Sequence, residues 1–215
     1  MKLPGLLLLL GLLASAAGPA PVVRITFSAL TDAAYMATPR RKVAAKPRVT
    51  FPLSKQHGRI AIPTAKGPRI FRDVVVDAQS EYSESQAITY KYLGYFPAQH
   101  CHLVHVSYYE IEKWVLLSDA GERVDLWGQP IFAPDGHYLA ATCEGLEYGG
   151  GQPNLVQLVA LRDGLLREVW RLRPKNWEPS DSYWISATSL IVEKQTWNEK
   201  SKDETYSYAK LTIQP

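Results

Sequence analysis

Cysteine is scarce: Cys101 and Cys143 are the only two in 215 residues. That excludes the small secreted scaffolds held together by a dense disulfide framework. Beyond the first residues no uncharged apolar run approaches the roughly 20 residues of a membrane-spanning helix. Acidic residues nearly vanish between positions 24 and 72, where Asp32 stands alone against eleven Lys or Arg. Signature motifs are missing as well. There is no G-x-S-x-G elbow and no H-E-x-x-H helix, and Gly149 to Gly151 are not followed by the Lys-Ser or Lys-Thr of a phosphate loop.

What is present begins with a leader. Lys2 gives a positive start, Leu6 to Leu10 with Leu12 and Leu13 give a short apolar core, and Ala14-Ser15-Ala16 offers small residues for cleavage. Residues 1–16 read as a secretory signal peptide. The first cysteine lies far downstream, so no lipid attachment is expected at the cleavage point. The expected product is exported and soluble, periplasmic or extracellular, with no transmembrane segment.

Charge divides the remainder in two. Residues 17–72 form a basic N-terminal segment with prolines at 39, 47, 52, 63 and 68, a spacing that interrupts helices and long strands and reads as an extended arm. Residues 73–215 carry twenty acidic and twelve basic side chains. The arm can meet an anionic partner in the envelope or lie against its own acidic domain, which needs no partner. Nucleic acid is not an expected partner, because the arm lacks aromatics interleaved with its bases.

The acidic part is patterned as all-β. Short runs rich in β-branched and aromatic residues recur at Tyr90 to Phe96, His102 to Tyr109, Trp114 to Ser118, Val124 to Trp127, Tyr138 to Cys143, Leu155 to Leu161, Leu166 to Leu172, Ser189 to Glu193 and Tyr206 to Ile213. Asp119-Ala120-Gly121, Pro134-Asp135-Gly136 and Arg162-Asp163-Gly164 supply turn chemistry between them. Phe96 to Val106 matches Phe132 to Thr142 at an offset of 36, pairing Phe96 with Phe132 and Leu103 with Leu139. The offset then becomes 43, pairing Gly121 with Gly164 and Trp127 with Trp170, and a third copy starts at Trp184-Ile185-Ser186. A period near 40 with about four strands per copy is the pattern of propeller blades.

Within the second copy, Pro130-Ile131-Phe132-Ala133-Pro134-Asp135-Gly136-His137-Tyr138-Leu139-Ala140 resembles the blade-opening motif of TolB-type and WD-repeat-like β-propellers. The resemblance spans roughly residues 90–215 and implies about three four-stranded antiparallel sheets, fewer than the usual four blades. A ring then closes only if the N-terminal part or another chain adds strands; an open, incomplete row or a β-sandwich is the alternative. The resemblance implies a fold and no activity.

His100-Cys101-His102 with His105 has the composition of a metal cluster, but alternation along a strand sends His100 and His102 one way and Cys101 and His105 the other. One face offers two ligands where zinc wants three or four, so no metal site is assigned. Under the repeat register Cys143 corresponds to Ser107, about 20 Å along a strand from the Cys101 position. A disulfide tolerates about 7 Å between Cα atoms, so both thiols are expected free. Glu110 and Glu112 share a strand face, and Glu144 and Glu147 flank the glycine-rich loop. Paired carboxylates can hydrolyse glycosides, although acids at strand ends are ordinarily just solvated. Trp127, Trp170 and Trp114 read as core, whereas Tyr148, Trp177 and Trp197 lie in polar or turn-rich stretches where an aromatic marks a binding face.

Together these features describe a secreted, non-catalytic binding or scaffold module that meets an envelope protein or glycan. Its expected binding residues are Glu144, Glu147, Tyr148, Trp177 and Trp197, on loops 144–154 and 195–204, with no cofactor. The competing readings are a carbohydrate-active hydrolase using the loop carboxylates and a structural subunit of a homo-oligomeric ring.

Overall fold

The computed structural model describes residues 23–39, 53–76, 84–145, 151–162, 164–198, 200 and 202–214. The leader, the proline-rich stretch 40–52, Glu147 and Tyr148 lie outside these residues. Fourteen strands and one short helix follow in order: β1 (Arg24–Leu30), α1 (Asp32–Met36), β2 (Arg59–Ile62), β3 (Arg69–Arg72), β4 (Thr89–Phe96), β5 (Cys101–Ser107), β6 (Glu112–Ser118), β7 (Arg123–Leu126), β8 (Ile131–Phe132), β9 (Tyr138–Cys143), β10 (Leu155–Arg162), β11 (Leu165–Leu172), β12 (Glu178–Ser186), β13 (Ser189–Asn198) and β14 (Asp203–Gln214). The protein is all-β. Its strands form a β2-β3 hairpin and three four-stranded antiparallel sheets, ordered β4-β5-β6-β7, β8-β9-β10-β11 and β1-β14-β13-β12.

Sheets pack face to face because their strands are apolar on both sides. Along β5, Cys101 and Leu103 join Phe132, Leu139 and Val159 of the second sheet, while Val104 and Val106 pack against Ile60, Ile62 and Phe71 of the hairpin. Along β9 the same division sends Leu139 and Ala141 to the first sheet and Tyr138 and Ala140 to the third, where they meet Trp184, Leu190 and Val192. Phe96 and Phe132, each the last residue of its sheet's first strand, touch with ring centroids 4.4 Å apart. The Trp184 indole donates to the Ile131 carbonyl at 2.8 Å, tying the third sheet to the second.

The basic segment carries more structure than a proline-interrupted arm. Ile25 and Phe27 alternate with polar residues, so residues 24–30 are a strand after all; β1 pairs along β14 from Arg24↔Gln214 to Leu30↔Tyr208 and is the outermost strand of the third sheet. Thr31 caps α1 by accepting from the Ala34 amide at 3.2 Å, and the buried Tyr35 ring stacks on Tyr208 at 3.6 Å. Lys55 pairs with Asp73 and donates to the Tyr90 carbonyl, so the boundary between basic and acidic halves is crossed by direct contact.

A carboxylate fastens one end of the first sheet. Asp119, in the β6-β7 turn, accepts from the Tyr95 hydroxyl at 2.6 Å and lies 3.3 Å from His100 Nδ1 and 3.5 Å from His102 Nε2. The Tyr92 hydroxyl completes the chain at 3.0 Å from His102 Nδ1. The Asp119 carbonyl also accepts from the Ala65 amide at 2.7 Å, bringing the β2-β3 turn into the same junction.

Two expectations follow. Truncating Phe27 to Ala, in what would otherwise be a dispensable arm, should lower stability by roughly 1–3 kcal/mol in urea unfolding, since the ring packs in the core between the second and third sheets. His102 is nearly buried, and that burial lowers its pKa against a smaller opposing effect of Asp119. Unfolding therefore takes up a proton, so this contribution is complete above about pH 6.5 and is lost as pH falls from there towards the folded value. A His102→Gln variant should show a shallower acid-side fall in urea midpoint than the parent; an unchanged slope would exclude the imidazole as its source.

Candidate functional site

The strands end in two sets of connections with different character. At one end the connections β4-β5, β6-β7, β8-β9, β10-β11 and β12-β13 span two to five residues. At the other lie β5-β6, β7-β8, β9-β10 and β11-β12 with the tip of the β13-β14 hairpin, and here β9-β10, residues 144–154, is the one long loop. The carboxylates and aromatics singled out in the sequence gather at this second end, apart from Glu147 and Tyr148, which fall outside the described residues.

Here a groove of about 360 Å³ opens across all three sheets, lined by Glu112, Trp114, Trp127, Gln129, Glu144 and Gln152 with Thr142, Cys143, Pro179 and Ser180. Each wall has a local cause. Trp114 packs against the His105 ring with centroids 4.9 Å apart and planes tilted by 48°, and His105 Nε2 lies 3.4 Å from Glu112, which orients that carboxylate. Trp127 carries the Lys113 ammonium 3.9 Å above its ring, a cation–π contact that holds the indole upright at the rim. Gly128 follows because the chain passes against the Thr142 backbone; a Cβ there would collide with the Thr142 carbonyl oxygen.

A polar anchor holds the ends of the β9-β10 loop beside the groove. Glu178 is buried and accepts from the Gly145 amide at 2.7 Å, while the Asn154 amide donates to the carbonyls of Pro174 and Trp177 at 3.0 and 2.7 Å. The Cys143 thiol donates to Gln152 Oε1 at 3.1 Å. Burial, then the charges of Glu144 and Glu178, push it up to about 11. It is therefore a protonated donor at neutral pH and no nucleophile. Cys101, pushed up to about 12 by burial and then Asp119, is equally inert, and both cysteines are free. No group of three or more metal-ligating side chains is present among the described residues.

Beside the groove the β13-β14 hairpin outruns its neighbours. β12 pairs with β13 only as far as Gln195 and β1 reaches only Tyr208 of β14, so among the described residues Thr196 to Asn198 and Asp203 to Ser207 have no partner strand on their outer sides. Trp197, opposite Glu204, and Tyr206 share one face of this projection, exposed to 51% and 47%. The Tyr206 hydroxyl donates to Glu204 at 2.6 Å. That bond, then burial and the Glu204 charge, raise its pKa.

The expected binding residues thus fall into different settings. Glu144 is exposed on the groove rim, and Trp197 stands on the hairpin. Trp177 does not present a free face: it is half-buried, stacked on Phe27 at 6.0 Å with rings 6° from parallel. Conversely Trp114 and Trp127, read as core, are half-buried groove walls. Trp127 directly follows β7 and precedes Gly128, a strand-end position that could have marked it as a rim residue. No model of a known protein family matches the chain, and no curated protein matches it.

Gly128→Ala should cost about 1–3 kcal/mol by overpacking and detach the Trp127 rim from Thr142. Matched urea unfolding and tryptophan fluorescence would read both effects; an unperturbed spectrum would mean the rim does not depend on that close approach.

Proposed function

We propose that the chain is an exported, propeller-like, non-catalytic module that binds a glycan of the cell envelope at the long-loop end of its sheets. The observation that carries this reading is the groove itself. Two half-exposed indoles flank amide, hydroxyl and carboxylate groups, a combination that gives the apolar faces of a sugar a surface to stack on and its hydroxyls both donors and acceptors. The Trp197–Tyr206 face extends that surface along the hairpin. Export is inferred from the leader, and no helix among the described residues is long and apolar enough to cross a membrane. The propeller-like reading draws support from three consecutive four-stranded meanders, the third completed by β1.

Retention of the full chain on insoluble envelope glycan is the direct test. Trp127→Ala and Trp197→Ala should each weaken it about ten-fold, the loss of about 1.4 kcal/mol, while Tyr109→Ala, exposed on a neighbouring loop, should not. Equal retention by all variants would refute the assignment. Glycan cleavage that disappears in a Glu112→Gln, Glu144→Gln double variant would establish a hydrolase instead. Capture of an envelope protein by the hairpin alone would assign a protein ligand, and a native mass of several chains would assign a ring.

A further inference from the structure

The tight-turn end holds a second and larger concavity, a groove of about 560 Å³ between the first two sheets. Gln99, His100, Asp135, His137 and Arg162 line it, contributed by the β4-β5, β8-β9 and β10-β11 connections. The backbone is specialised for this. His100 adopts φ +50°, in the left-handed region that residues with a side chain seldom occupy, while its carbonyl accepts from the Asp119 amide at 2.9 Å. Gly136, at φ +72°, leaves room for the Gln99 amide, with which a Cβ would collide.

Both imidazoles are anchored in the same way. His100 Nδ1 lies 3.3 Å from Asp119 and His137 Nδ1 lies 3.1 Å from Asp135, so Nε2 is the nitrogen each ring has left for a ligand. Arg162 has no carboxylate partner among the described residues; its guanidinium meets only the Tyr138 hydroxyl, at 3.4 Å. A guanidinium without an ion-pair partner among the described residues, set in a concave site beside the Gln99 amide, offers an anion a fork of donors.

We propose that this groove binds the phosphoryl group of a small phosphate ester. A phosphoryl group brings three terminal oxygens. The planar fork of Arg162 takes two of them and the Gln99 amide donates to the third, with Nε2 of His100 and His137 lining the shell. A carboxylate would be satisfied by the Arg162 fork alone and leave the Gln99 amide unused. Tyr95, which also bonds Asp119, holds that carboxylate in place and is a positioning residue.

The test is titration of the full chain with inorganic phosphate, glycerol phosphate and acetate, followed through the imidazole proton resonances. Phosphate and glycerol phosphate should shift the His100 and His137 signals saturably at about 1 mM, and acetate at least about ten-fold more weakly. Arg162→Gln and His137→Asn should each weaken phosphate about ten-fold or more, whereas Arg171→Gln, paired with Glu168 elsewhere on the second sheet, should not. The two site variants guard against misfolding of either one. Absence of a saturable shift, or an acetate response equal to that of phosphate, would overturn the proposal. Binding only to vesicles of phosphatidylglycerol and phosphatidylcholine, with none to the free esters, would place the phosphoryl group on a lipid headgroup and overturn the small-ester assignment.

Discussion

Burial of both faces of the second sheet is the constraint on which the rest of the molecule depends. β9 and β10 have no solvent side: alternate residues go to the first sheet and to the third, and Leu139, Ala140, Ala141, Leu155, Val156, Leu158 and Val159 are all fully buried. A sheet covered on both faces reads as a near-continuous apolar run rather than an alternation. It also leaves no sheet face on which to build chemistry. Polar function is confined to the strand ends, where loops can hold charged groups in reach of water, and both grooves lie there.

That confinement explains the contrast between the two ends. Tight turns at one end allow little beyond backbone geometry and a few short side chains, so its polar groups come as fixed couples around Asp119 and Asp135. The other end, with the long β9-β10 loop, brings in indoles, amides and carboxylates, and that loop needs internal anchors. Glu178 and Asn154 serve that role by binding backbone groups of segments distant in sequence.

Much of the architecture was legible because it is local. Each strand of the first two sheets, apart from two-residue β8, announces itself by β-branched and aromatic residues, and Gly121, Gly136 and Gly164 adopt the positive φ that their turn motifs require. β12 was less visible before Trp184, since Glu178-Pro179-Ser180-Asp181-Ser182 has loop composition; pairing to β13, with irregularities after Pro179 and Trp184, makes it a strand. β1 was hidden by averaging charge and proline over a segment in which the five residues Arg24 to Ser28 alternate. The site was harder to read. Trp177 is covered by Phe27, 150 positions earlier, a contact no local pattern encodes, and Trp127 reaches the rim only because Gly128 presses the chain against β9. The pairing of Asp119 with two histidines likewise depends on a turn folding back over β5.

β1 also sets the order of events in folding. Its partner is β14, so the first described strand hydrogen-bonds to the last, with Arg24 opposite Gln214. Such long-range pairing is slow to form. During synthesis Ile25 and Phe27 cannot be covered by the third sheet until β14 has emerged. Until then β14 has a bare outer edge, open to strands of other molecules. The third sheet is completed only when β1 docks, and that strand is what keeps the outer edge of β14 from copies of the chain.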